Sequence, residues 1–391
     1  MEDLDEDFES VASSIVAEAA WSKPRAIPDN HVTSPNESSP SHVSASELSL
    51  SPRRVLAVSS PSGGVPGFSR KQKVRLIKRA LKASKTTGDV AILRQLTITR
   101  GGLVADSLRR HGWPLLLGLG PHSPDLLTPC DFGQEDIEAY KDYQQVLMDV
   151  KRTLARFPPN MQHEQRLALQ RQLCGLVVNI LMQNPDLHYY QGFHDVCLTL
   201  LLVLGETRAQ AVANKLVYRP FFHEFLAPTM EQTSRILELI YPLIEAVDPE
   251  LCDFLERADL GTMFALPWLI TWFGHVISDF RAVVRLYDLF LASHPLMPLY
   301  FGAAIVLHRS RELLDSECDM AQLHAILGHL PPSLPLEPLI SDATDLFMRL
   351  PPSTLQKELH KWEARSSFRS SRRSKKGGKL GTRRRSCVVW L

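Results

Sequence analysis

The sequence predicts an all-α domain of close to 300 residues set between two disordered tails. Three observations carry that prediction. From Arg70 to about Trp362, apolar residues recur at the spacing of a helix face. No sustained two-residue alternation bounded by hairpin turns interrupts them. Pro, Gly and Asp fall between the apolar runs, where helices stop or start. The chain divides into an acidic then Ser/Pro-rich tail over 1–69, a helical domain over 70–363 and a basic tail over 364–391.

Residues 1–20 begin acidic, and Ser22 to Phe68 is dominated by Ser, Pro, Asn and Gly. Such composition cannot bury enough apolar surface to offset the entropy of ordering, so the segment reads as flexible. Its Ser-Pro pairs at Ser34, Ser39, Ser51 and Ser60 are candidate phosphorylation sites on a flexible tail. The first helix is expected over Lys71–Ser84, with Val74, Ile77 and Leu81 on one face, and a second over Asp89–Leu96. Gly101-Gly102 breaks the chain before a run from Leu103 to Leu117. After a Pro-, Gly- and Ser-rich loop, one long helix is expected from about Gln134 to Phe157, stopped by Pro158-Pro159. The next, about His163 to Gln183, repeats Leu169, Leu173, Leu176 and Ile180 and ends before Asn184-Pro185. Leu260 to Ser278 carries no formal charge and approaches membrane-spanning length. Its Gly, Pro, Thr and Ser content reads better as a buried helix of the bundle.

Charge is unevenly spread. Residues 1–363 hold 34 basic and 43 acidic side chains, whereas 365–391 hold ten Lys/Arg and no acid. An acidic body argues against nucleic-acid binding, which rests on basic neutralisation of phosphates. The six cysteines lie far apart without a C-x-x-C pair, which excludes a secreted disulfide scaffold and points to the cytoplasmic side of membranes. No P-loop, H-E-x-x-H, G-x-S-x-G or G-x-G-x-x-G occurs, and the 14 histidines are scattered. No cofactor and no metal site is expected.

Two polar clusters remain. In VLMDVKR, Val146, Asp149 and Arg152 stand at i, i+3, i+6, and the helical wheel points Arg152 away from the apolar side. Asp149 is one turn from Arg152, close enough to hold its guanidinium. Spacing alone reads this as a solvated face with a weak ion pair. HYYQGFHDV, from His188 to Val196, packs aromatic and polar residues into the connection between two apolar helices. Gly192 permits a tight turn after Gln191, and Asp195 is placed to cap or charge-stabilise the next helix at its N-terminal end.

Together these residues resemble the TBC domain family of Rab GTPase-activating proteins. VLMDVKR is similar to the family's I-x-x-D-x-x-R, and Tyr189, Tyr190 and Gln191 supply its Y-x-Q, with Gly192 to Asp195 continuing as G-x-x-D. Upstream GGLVADSLRRHGW, and downstream PWLITWF and RLYDLF, resemble further signatures in the family's order, with the motif core at about 101–292. The resemblance implies a multi-helix TBC fold and acceleration of GTP hydrolysis on GTP-bound Rab GTPases of endoplasmic reticulum–Golgi traffic. It assigns Arg152 as an arginine finger and Gln191 as a glutamine finger, with Asp149, Tyr189, Gly192 and Asp195 in support. GTP and Mg are then held by the partner Rab, and the chain has no independent enzymatic activity. Arg stays protonated and Gln does not titrate, so activation should be nearly flat between about pH 6.5 and 8. Two rival readings keep the same residues: a catalytically inactive Rab-GTP effector, and a purely structural helical adaptor.

No transmembrane anchor is evident. Cys387 stands one position too far from the end for C-a-a-X prenylation. The basic tail is expected either to dock on anionic membrane surfaces, at roughly 1 kcal/mol per Lys or Arg, or to remain free.

Overall fold

A computed structural model describes residues 69–123, 126, 132–156 and 158–376, with side chains omitted for 155–156 and 366–376. The Ser-Pro pairs, Phe157, Cys387 and most of both tails lie outside the described residues. Within them every regular element is a helix.

Helix α1 (Arg70–Thr87) opens with a Ser69–Gln72 capping box and closes on Gly88 at φ 75°, a left-handed position that glycine adopts without strain. It buries Ile77 and Leu81 and, unexpectedly, Lys73. The Lys73 ammonium donates to the carbonyls of Thr99 and Arg100 at the end of α2 (Ala91–Ile98), and burial lowers it to about 8. The run expected from Leu103 begins as a helix at Asp106, forming α3 (Asp106–Leu116).

The single helix expected from Gln134 to Phe157 is two: α4 (Gln134–Ala139) and α5 (Tyr143–Arg156). Tyr140 turns extended, at φ −61° and ψ 137°, and ends α4, while Asp142, a residue type suited to helix starts, precedes α5. The reorientation lets α5 lay Val146, Val150 and Leu154 into the core against α6 (His163–Gln183), whose bounds match the sequence expectation. Helices α7 (Phe193–Leu204) and α8 (Glu206–Leu216) follow; α7 is buried along nearly its whole length and packs on α3, α5, α6 and α8.

Short helices α9 (Pro220–His223), α10 (Glu231–Glu238), α11 (Ile240–Glu245) and α12 (Pro249–Arg257) lead to the uncharged segment. That segment is no continuous helix. It holds a 3-10 turn at Met263–Ala265, α13 (Leu266–Ile270) and then Trp272 and Phe273 at φ 46° and 64°. Left-handed backbone at aromatic residues costs of order 1–3 kcal/mol each. Ring contacts of Trp272 with Phe222, Tyr287 and Phe290, and of Phe273 with Phe301, hold it. No helix among the described residues is long and apolar enough to cross a membrane.

The fold closes with α14 (Phe280–Ala292), α15 (Met297–His308), α16 (Ser310–Leu314), α17 (Met320–Gly328), α18 (Leu336–Arg349) and α19 (Pro352–Lys376). Helix α19 runs past residue 363, where the sequence pattern ends the domain, and Arg365 pairs with Glu245 on α11. Helix α14 packs on α2, where Arg285 donates to the Ile98 carbonyl, and on α3 through Asp288, which is fully buried. Asp288 accepts from Arg109 Nε and Nη2, from Trp113 Nε1 at 2.8 Å and from the Leu103 amide at 2.9 Å. This knot ties the start of the domain to its second half.

Candidate functional site

The site lies where α5, the α6–α7 connection and α13 meet around a concavity of about 460 Å³. Asp149, Arg152 and Thr153 reach it from α5, Gln191, Gly192, His194 and Asp195 from the turn into α7, and Ile270, Thr271 and His275 from α13 and the segment after it.

Asp149 does not lie on a solvated face. Its side chain is 1% exposed, and Oδ1 accepts from Arg152 Nη2 at 2.6 Å. Oδ2 accepts from Gln145 Nε2 at 3.1 Å and from the Tyr189 hydroxyl at 3.0 Å. A carboxylate needs such donors once it leaves water. Arg152 is the open end of this arrangement: its side chain is 61% exposed, with one N–H committed to Asp149. The helical wheel points Arg152 outward, and reading the pair as a solvated face puts Asp149 outward with it. The second placement fails because Tyr189, distant in sequence, covers that position.

The turn that presents Gln191 is built by its neighbours. The His188 amide donates to the Leu226 carbonyl at 2.8 Å, and the Tyr190 hydroxyl donates to the Ile270 carbonyl at 2.7 Å. The Tyr190 ring also meets Phe193 and Phe225. Gly192 sits at φ 127°, where a Cβ would come within 3.0 Å of Thr271 Cγ2, so glycine is required twice over. Between these anchors Gln191 is exposed, and its side chain makes no hydrogen bond among the described residues.

Asp195 lies in the first turn of α7, yet it does not cap the helix. Its Oδ1 accepts from the Thr153 hydroxyl at 3.1 Å, and its Oδ2 lies 3.2 Å from His275 Nδ1. Burial pushes the Asp195 carboxyl up, but the His275 bond, nearby histidine charge and the Thr153 bond outweigh it and leave it below the ordinary range. His194 stands beside it with Nδ1 3.0 Å from the Tyr189 hydroxyl and Nε2 2.9 Å from the Thr153 hydroxyl. Burial holds its imidazole below the ordinary range, against the pull of Asp195 and Asp149. Burial raises the Tyr189 phenol, which stays protonated and donates. Thr153, His275 and Gln145 escaped sequence reasoning. Thr153 directly follows Arg152, and His275 lies in the segment read as a buried helix.

The fold and site define an all-helical domain that offers an exposed arginine and an exposed glutamine on the rim of one concavity. A family profile described as the Rab-GTPase-TBC domain matches residues 106–314, more than half of the chain. The chain belongs to that family. It is similar to TBC1 domain family member 20 of Bos taurus, 52% identical over 289 residues that span 74% of this chain and 70% of the relative. It is also similar to GTPase-activating protein gyp10 of Schizosaccharomyces pombe, 31% identical over 77% of this chain and 80% of the relative. The crystal structure of the Ypt/Rab-GAP domain of Gyp1p shares the fold, at a TM-score of 0.58 with 15% identity over 72% of this chain and 98% of that one.

Proposed function

We propose that this chain is a GTPase-activating protein for Rab-family small GTPases, inserting Arg152 and Gln191 into the partner's nucleotide site. Membership of the Rab-GTPase-TBC family and similarity to a GTPase-activating protein support activation of a Rab as the activity. One observation carries the two-finger assignment. Arg152 and Gln191 are both exposed at one concavity; Arg152 commits one N–H to the buried Asp149, and the Gln191 side chain makes no hydrogen bond among the described residues.

The chemistry follows from those side chains. GTP hydrolysis passes through a transition state with charge spread over the transferring phosphoryl group and an attacking water in line. The free N–H groups of Arg152 stabilise that charge, and Asp149 fixes the guanidinium through Nη2. The Gln191 amide, which both donates and accepts, orients the water. The chain brings no nucleotide or metal of its own; GTP and Mg stay on the Rab. The substrates are Rabs of endoplasmic reticulum–Golgi traffic, as the family resemblance implies. The ten Lys/Arg of residues 365–391 draw the chain to anionic membrane surfaces.

The test is phosphate release from a panel of GTP-loaded Rabs with wild type, Arg152→Ala and Gln191→Ala. One or a few Rabs should be accelerated, and each substitution should remove about three decades or more of that rate. Binding to GTP-loaded Rabs without acceleration would instead make the chain an effector.

A further inference from the structure

His194 touches both halves of the site and belongs to neither finger. It lies three residues after Gln191, in the first turn of a helix whose neighbouring side chains Phe193, Val196 and Cys197 are fully buried and, cysteine included, apolar in character. A polar ring there costs free energy unless its nitrogens are bonded, and an apolar residue of similar size would fill the space. Both nitrogens have partners. Nδ1 meets the Tyr189 hydroxyl at 3.0 Å and Nε2 meets the Thr153 hydroxyl at 2.9 Å.

The donor balance constrains this bridge. Asp149 and Asp195 are carboxylates that only accept. The Tyr189 and Thr153 hydroxyls stand between these carboxylates and the ring, at 3.0 and 3.1 Å from the carboxylate oxygens. A neutral imidazole has one N–H and one lone pair, so it donates to one of these hydroxyl oxygens and shares the proton of the other with that hydroxyl's carboxylate. One arm runs from His194 through Tyr189 and Asp149 to Arg152. The other reaches Thr153, the residue after Arg152 on the same helix.

We infer that His194 is a positioning residue, bridging Tyr189 and Thr153 so that the helix carrying Arg152 and the turn carrying Gln191 keep one relative placement. The inference rests on the two-finger reading above. It requires that loss of the bridge harm the chemical step more than Rab binding, because His194 is only 4% exposed and offers a partner almost no surface. A misplacement of about 1 Å at a reacting group costs as much as 10²-fold in rate.

The experiment uses the full chain and a Rab that wild type accelerates, and measures kcat, KM for the GTP-loaded Rab and the denaturant midpoint. His194→Leu should lower kcat by about tenfold to 10²-fold with KM unchanged. His194→Asn, which returns a polar group near the Nδ1 position, should recover most of that loss. Thr153→Val, which removes the second arm without changing shape, should also lower kcat and keep the fold if His194→Leu proves unstable. Wild-type kcat in His194→Leu or in Thr153→Val overturns the inference. So does a kcat loss that follows the denaturant midpoint and that Asn does not recover. If wild type accelerates no Rab, the two-finger reading fails and takes the inference with it. If Arg152→Ala is inactive while His194→Leu is fully active, this inference alone fails.

Discussion

Asp288 and Asp149 are both sealed in the helical core and both accept from an arginine, yet the two arginines face opposite ways. Arg109 lies with Asp288 inside the domain, 10% exposed, with two further donors, the Trp113 indole and the Leu103 amide, closing the knot. Arg152 leaves Asp149 for the surface, and most of its guanidinium stays open. A closed carboxylate knot ties helices together. One with an open end presents a charge at a fixed position, which a partner can use at little reorganisation cost. The same pair of residue types thus serves architecture in one place and, under the proposed function, chemistry in the other.

The largest expected effect lies at the closed knot. Asp288→Ala leaves a buried guanidinium, the Trp113 indole N–H and the Leu103 amide without their acceptor. Breaking a buried pair from one side costs about 3–5 kcal/mol, so denaturant unfolding should show a barely stable or unfolded chain. Wild-type stability in this variant would remove the architectural half of the contrast.

A smaller effect is expected at the open site. Gly192→Ala forces a side chain into a φ of 127° against Thr271. Such strain is of order 1–3 kcal/mol, and its relief by moving Gln191 should lower turnover more than stability. Equal turnover in the variant would separate the Gly192 geometry from the presentation of Gln191.

The smallest effect is in pH. Burial keeps His194 below its ordinary value of 6.5, so the unfolded chain binds a proton there that the folded chain refuses. This contribution to stability is complete above about pH 6.5 and is lost as the pH falls below it. Urea midpoints at pH 7.5 and 5.5 should therefore differ less in His194→Asn than in wild type. Asp195 behaves oppositely in range: its lowered carboxyl gives up its contribution only as the pH falls below its ordinary 3.8.

These contrasts also show what a sequence carries. Helix α6 was legible because Leu169, Leu173, Leu176 and Ile180 mark one face and Asn184-Pro185 stops it. The α4–α5 break was not, since Tyr140 to Asp142 contains neither Gly nor Pro. The Leu260–Ser278 segment misled for another reason. Its composition suits a buried helix, but buried aromatic contacts hold Trp272 and Phe273 in a conformation that local propensity opposes. At the site, the outward course of Arg152 followed from its helical wheel. The burial of Asp149 and the bridge through Thr153, His194 and His275 did not. They depend on pairs 40, 41 and 80 residues apart, which no local spacing encodes.

The most direct measurement pairs turnover with unfolding on a single preparation of Arg152→Ala. An open guanidinium predicts that GTP hydrolysis on a responsive Rab falls by about three decades or more. Stability should stay within about 1 kcal/mol of wild type, as for an ion pair that is largely solvated at one end. Retained turnover, or turnover lost only together with the fold, would contradict the division between a closed architectural knot and an open chemical one.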